Sequence, residues 1–175
     1  MSGGLRAGYI STPRLALEPL AAHHAKDMVP VLAGTAIYRH IGGTALSLQD
    51  LTARYTAQSA GYSPDGREAW LNWIIREQAG PVGFVQATVA TNAPQPTAYV
   101  AWVVGEAFQG RGIATEAAAG MLGWLRPRTG GAVAAYIHPE NLASAAVARN
   151  LGLAATGQVD EDGEELWQDG GAAGQ

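Results

Sequence analysis

The strongest chemical signal in the chain is the run Gln109-Gly110-Arg111-Gly112-Ile113-Ala114. It follows the apolar stretch Tyr99 to Val104 and opens a helical pattern that reaches about Leu125. A strand, a glycine turn and a helix start leave several backbone N–H groups aimed at one point. Such a point binds phosphate, because first-turn amides lack helical acceptors and the helix dipole favours anions there. A lone G-x-G before a helix is as readily a plain loop, so the ligand must be read from other features. Two nucleotide-binding patterns fit poorly. The dinucleotide fingerprint needs a third small residue where Thr115 stands, and the P-loop needs Lys-Ser or Lys-Thr after its last glycine.

A second cluster is Ile137-His138-Pro139-Glu140-Asn141-Leu142-Ala143-Ser144, which ends a strand and begins a helix. Asn141 suits the N-cap, its side chain accepting an N–H of the first turn. Asn141, Ser144 and Leu151-Gly152-Leu153 recur together about 30 residues after the glycine loop.

These residues must be held by regular elements. Leu15 and Leu17 alternate with Ala16 and Glu18 as in a half-buried strand, after a loose stretch over residues 1–9. One or two short helices are predicted between Ala21 and Ile41, with Pro30 near a start or break. Ser47 and Asp50 predict a capped helix from Leu48 to about Ser59. The apolar runs Trp70–Ile75, Val82–Thr91 and Ala98–Val104 predict three strands in an antiparallel meander. Ile113, Ala117, Met121, Trp124 and Leu125 share one helix face, and Pro127 with Gly130-Gly131 is predicted to end that helix. A strand over Ala132–Ile137, a helix over Leu142–Leu151 and a hairpin around Asp160–Gly163 complete the pattern, with fraying from Gln168. This is an α/β chain of α+β type, read as a flexible 1–11, one domain over 12–168 and a flexible 169–175.

Bulk properties narrow the function classes. The 175 residues are 47% hydrophobic and 15% charged, enough for one domain with a full core. Net charge is −4 with no basic stripe, which argues against a nucleic-acid partner. No apolar run reaches membrane-span length, and Met1 to Tyr9 lacks the apolar segment of a signal peptide. The absence of cysteine removes disulfides, thiolate nucleophiles and Cys-based zinc sites, and a cytoplasmic location is expected. His23-His24 is not read as a metal site, because neighbouring helical residues point different ways; no metal is expected.

In order and spacing the motifs resemble the GNAT (Gcn5-related) N-acetyltransferase superfamily, most closely its RimJ/RimL-like branch. Gln109 to Ala114 matches the pattern Gln/Arg-x-x-Gly-x-Gly/Ala, followed by the typical Thr115-Glu116-Ala117. Thr12-Pro13-Arg14-Leu15-Ala16-Leu17 resembles the usual opening of the branch, and the resemblance spans residues 12 to 168.

The resemblance implies a mixed, largely antiparallel central sheet with a splayed strand pair, flanked by helices. It implies acetyl-CoA as cofactor, its pyrophosphate held by Gln109, Gly110, Arg111, Gly112, Ile113 and Ala114. Trp102, Val103 and Val104 would pair with the pantetheine arm, and the Val103 or Val104 amide would stabilise the oxyanion. Asn141 and Ser144 would also touch the cofactor. Acetyl transfer would go directly to an amine, either a protein N-terminus or a small molecule. Many relatives place a tyrosine seven residues after the Asn to protonate the thiolate; here that position is Ala148, and Ser144 is assigned near the sulfur. Glu106 and His138 lead as candidate bases, ahead of Glu68, Glu164 and Glu165. Trp102 is the preferred substrate contact, and homodimers are common among proteins of this kind. A non-catalytic acyl-CoA-binding domain is the alternative.

Overall fold

The computed structural model describes residues 4–170. Eight strands form one sheet: β1 (Ile10–Ser11), β2 (Ala16–Pro19), β3 (Glu68–Glu77), β4 (Gly80–Ala90), β5 (Ala98–Val104), β6 (Val133–Ile137), β7 (Leu153–Val159) and β8 (Glu165–Asp169). Their spatial order is β1-β2-β3-β4-β5-β6-β8-β7. Every neighbouring pair is antiparallel except β5 and β6. The predicted meander is therefore present as β3-β4-β5. No helix among the described residues is long and apolar enough to cross a membrane.

Alternation of side chains divides the core between the two faces of the sheet. On one face Leu71, Trp73, Val85, Ala87, Val100 and Val104 pack beneath α4 (Ile113–Thr129) and α5 (Leu142–Asn150). On the other, Ile74, Phe84 and Val103 meet α1 (Ala25–Val31), α2 (Tyr38–Ile41) and α3 (Leu48–Gln58) through Met28, Ile37, Leu51 and Tyr55. The Ser47 hydroxyl accepts the Asp50 N–H at 3.1 Å, so α3 starts where its cap predicts.

Three expectations are corrected. First, the N-terminal segment is not loose where it is described. Leu5 and Ala7 pack on the core, the Trp73 indole N–H donates to the Gly8 carbonyl at 2.7 Å, and Ile10–Ser11 adds a strand. Residues 1–3 lie outside the described residues. Second, of the two predicted stops only the glycine acts: α4 runs through Pro127 to Thr129 and ends at Gly130 as expected, with a left-handed φ of 61°. The Arg128 guanidinium folds back to donate to the Trp124 carbonyl at 2.7 Å and lies over the indole, while the helical bond that Pro127 cannot donate is the one to the Gly123 carbonyl. Third, Gln168 sits inside β8, paired with Ala134 and Ala154, so fraying does not begin there; residues 171–175 lie outside the described residues.

The Thr12-Pro13-Arg14 segment is tied to the start of α4 by one carboxylate. Glu116 accepts from the Thr12 hydroxyl at 2.7 Å, the Arg14 backbone N–H at 3.0 Å and Arg14 Nε at 2.8 Å. Burial pushes this carboxyl up, but the hydrogen bonds from Thr12 and Arg14 together outweigh burial and hold it below its ordinary value. A carboxylate depressed in the folded state adds stability above its unfolded pKa and loses it as pH falls through the folded value. Glu116→Gln is therefore expected to lower unfolding free energy at neutral pH by roughly 1–3 kcal/mol. In denaturant titrations the gap to wild type should close below about pH 4; a gap that persists in acid would refute the linkage.

Candidate active site

The parallel pairing of β5 with β6 ends almost as soon as it begins. Only Ala98↔Val133 and Tyr99↔Ala134 are in register, although β5 runs on to Val104 and β6 to Ile137. Direction of the β5 amides follows from two hydrogen bonds. Ala98 N–H donates to Ala132 on the β6 side at 2.8 Å, while Gly105 N–H donates to Val82 on the β4 side at 2.8 Å. Strand alternation then turns the amides of Trp102 and Val104 toward the gap and commits that of Val103 to β4. Of the two predicted oxyanion donors, the geometry favours Val104. Its carbonyl is already engaged, accepting from Gln109 Nε2 at 3.0 Å.

The glycine loop closes the same gap from the side. Gly110 and Gly112 hold φ of 75° and 74°, left-handed conformations that any larger residue adopts only with strain of about 1–2 kcal/mol. Gly112 is the N-cap of α4, and the first bond of that helix runs from Glu116 N–H to the Gly112 carbonyl at 3.1 Å. The amides from Gly110 to Thr115 find no acceptor among the described residues. On the opposite wall, Asn141 caps α5, its side-chain oxygen accepting the Ser144 N–H at 3.1 Å. That leaves the amide NH₂ of Asn141 free to donate outward.

These elements enclose a cavity of about 580 Å³. Trp102, Val103, Val104, Gln109, Gly110, Gly112, Ile113 and Ala114 line it from one side, Asn141 and Ser144 from the other. Three predicted site residues turn elsewhere. The Arg111 guanidinium pairs with Glu77 at 2.7 Å, and its backbone carbonyl accepts from Arg14 at 3.0 Å. The Glu106 carboxylate accepts the Ala36 N–H and fastens the single turn Thr35–Ile37. His138 stands behind the wall, its Nδ1 accepting the Glu140 N–H at 3.2 Å. Among the other weighed acids, Glu68 accepts from the Trp70 indole at 3.2 Å. Ala148 is fully buried and takes no part in the cavity lining.

His40 is the residue that sequence reasoning missed. It lines the cavity from α2, its ring centroid 5.4 Å from that of His138, and its Nδ1 is buried without a partner. One donor atom each of His40, His138 and Glu140 lie within 4.8 Å of one another. The Glu140 N–H occupies Nδ1 of His138, so the proton of that neutral ring lies on Nε2, and Glu140 itself is exposed. Burial, then Asp160 and Asp162, push the Glu164 carboxyl up, while His138 acts in the opposite sense. His24 is structural: Nδ1 accepts the Ala21 N–H at 3.0 Å and Nε2 lies 3.0 Å from Glu18.

Residues 14–154 match a family model described as the acetyltransferase (GNAT) domain. No curated protein matches the chain in sequence. Among solved structures, the microcin C7 self-immunity acetyltransferase MccE, in complex with acetyl-CoA and AMP, is 15% identical with a TM-score of 0.76, covering 90% of this chain and 93% of its own. The ribosomal L7/L12 α-N-protein acetyltransferase RimL, in complex with coenzyme A, is 17% identical with a TM-score of 0.72, over 92% and 95%. The aminoglycoside acetyltransferase AAC(6')-Ib, in complex with paromomycin and acetyl-CoA, is 17% identical with a TM-score of 0.73, over 89% and 92%.

Removal of the α5 cap provides a direct check on this wall of the cavity. Asn141→Ala should lower stability by about 1 kcal/mol through the orphaned Ser144 N–H. Denaturant titration reads that loss; an unchanged midpoint would show that another group replaces the cap.

Proposed function

The chain belongs to the GNAT acetyltransferase family and depends on acetyl-CoA, and from that premise we propose that it passes the acetyl group directly to a primary amine within a ternary complex. The observation that carries this reading is the meeting, in one cavity, of unpaired amides from the glycine loop and from the divergent end of β5. The residues fit the cofactor. Amides from Gly110 to Thr115 suit a pyrophosphate at a helix N-terminus, and the Trp102 and Val104 amides with Asn141 suit the polar groups of a pantetheine arm. When bound, acetyl-CoA supplies an activated thioester.

In the reaction a C–N bond forms as the C–S bond breaks, and one proton leaves the amine while another reaches the sulfur. The Val104 amide is positioned to donate to charge developing on the carbonyl oxygen, a form of stabilisation that preorganised donors provide without reorganising. Ser144, on the α5 wall, is assigned to hydrogen-bond the departing sulfur. Glu106 and His138 led as bases on sequence grounds. The proposal now gives the amine proton to His40, which reaches the cavity, with His138 positioned behind it. Amine acceptors in the compared proteins range from the ribosomal-protein N-terminus of RimL to the aminoglycoside of AAC(6')-Ib, and an amine of this breadth is the acceptor class proposed here.

Calorimetry with acetyl-CoA tests the cofactor site first. Wild type should bind with a saturable heat, and Gly112→Glu should abolish it by setting a side chain and a negative charge at the phosphate cradle. Binding that survives in Gly112→Glu would remove the loop from the site. His40→Gln should bind acetyl-CoA normally yet reduce kcat by about 10²–10⁴-fold, the usual contribution of a positioned base. Unchanged turnover in that variant would transfer the role to another group.

A further inference from the structure

The cofactor cavity accounts for one face of the β5 edge; two smaller cavities lie on the other. The first, of about 70 Å³, shares Ile37, Ile41 and Val103 with the cofactor cavity. The second, of about 240 Å³, shares Leu32, Leu51, Arg54 and Phe84 with the first and reaches Asn72 and Gln86 on the floor of the sheet. A continuous series of walls thus leads from the divergent end of β5 into a recess beneath α3. At ~30 Å³ per water the larger chamber has room for roughly eight waters, the scale of a small molecule.

The walls are mainly apolar, with informative exceptions. Tyr55 is only 4% exposed and lines the larger chamber, yet its hydroxyl has no hydrogen-bond partner. Such a group costs free energy unless something meets it. Burial, against the opposing charge of Arg54, pushes that hydroxyl up to about 12, so at neutral pH it is a donor. Arg54 borders both chambers and makes no ion pair among the described residues. The remaining polar walls of the larger chamber, Gln58, Asn72 and Gln86, are neutral, and no carboxylate lines either chamber among the described residues.

This chemistry discriminates among amines. A polycationic aminoglycoside would bring several positive charges to walls that offer it a guanidinium and no anion. A protein N-terminus would supply apolar contacts but no free carboxylate at its first residue. We propose that the recess holds an apolar primary amine bearing a carboxylate, with Arg54 pairing that carboxylate and the apolar walls taking the body. The assignment rests on the acetyl-transfer reading above and narrows its acceptor. Arg54 offers a fork of donors matched to a carboxylate, while the Tyr55 hydroxyl is enclosed behind the wall.

The test combines turnover with a binding measurement that needs no chemistry. Coenzyme A release is followed with phenylalanine, phenylalaninamide, a short peptide and paromomycin as acceptors, and calorimetry measures binding of N-acetylphenylalanine to wild type, Arg54→Gln and Tyr55→Phe. Phenylalanine should exceed its amide by at least ~10-fold in kcat/KM, the scale of a charge-assisted contact, and Arg54→Gln should erase that preference. Tyr55→Phe should be at least as stable as wild type, since it deletes an unpaired buried hydroxyl, and should bind N-acetylphenylalanine as wild type does. Preference for the amide, the peptide or paromomycin would overturn the proposal while leaving acetyl transfer intact, as would N-acetylphenylalanine binding that Arg54→Gln does not change. Arg54-dependent binding with no amine acetylated would keep the recess as a carboxylate site and overturn the transfer reading instead.

Discussion

Two neighbouring parallel strands that part after two residue pairs create the constraint on which the site depends. A sheet normally consumes its amides in pairs, and a buried amide left over is costly. Here β5 continues past its last contact with β6, so the Trp102 and Val104 amides face a gap instead of a strand. The gap is kept open by what stands in it: α4 rises from one rim, α5 from the other, and Gln109 takes up the one carbonyl at the mouth. Ligand recognition by backbone follows from this topology, and the side chains around it mainly fix the shape of the opening.

The rim is braced from a distance. Glu116 lies one turn into α4, and its partners Thr12 and Arg14 precede β2, so the N-terminal segment holds the helix whose first amides form the anion cradle. Arg14 extends the brace by donating to the Arg111 carbonyl inside the loop itself. At the other rim, one side chain both caps α5 and lines the cavity. Asn141 uses its oxygen for the helix and leaves its nitrogen free at the cavity, so in the proposed site folding and binding would draw on opposite ends of one amide.

Much of this was legible in the sequence, because it rests on local rules. The glycine loop, the caps Ser47 and Asn141, and the meander β3-β4-β5 all depend on residues close in the chain. What escaped depends on contacts between distant segments. The packing of residues 5–11 relies on Trp73 and Tyr62, which no local pattern announces. His40 occupies a four-residue helix with no periodicity to read, and its meeting with His138 is created by the fold. Glu106 looked like a base because it precedes the loop, but a turn after β5 carries it toward Ala36. Arg54 and Tyr55 read as an ordinary helix surface and core pair until the recess beside them is seen. Pro127 misled because it stands in the last turn of α4, where one missing N–H does not by itself end the helix.

The charges around the glycine loop have one further bearing. Arg111 is matched by Glu77, and Arg14, which donates to the loop, by Glu116, so each of these two cations is paired. In the proposed site, attraction for a phosphate would come from oriented peptide dipoles, which act over a turn of helix, more than from a field of net charge reaching into solution. In the proposed site the loop is thus a short-range receptor, one that would recognise its anion on contact and exert little pull on polyanions passing by.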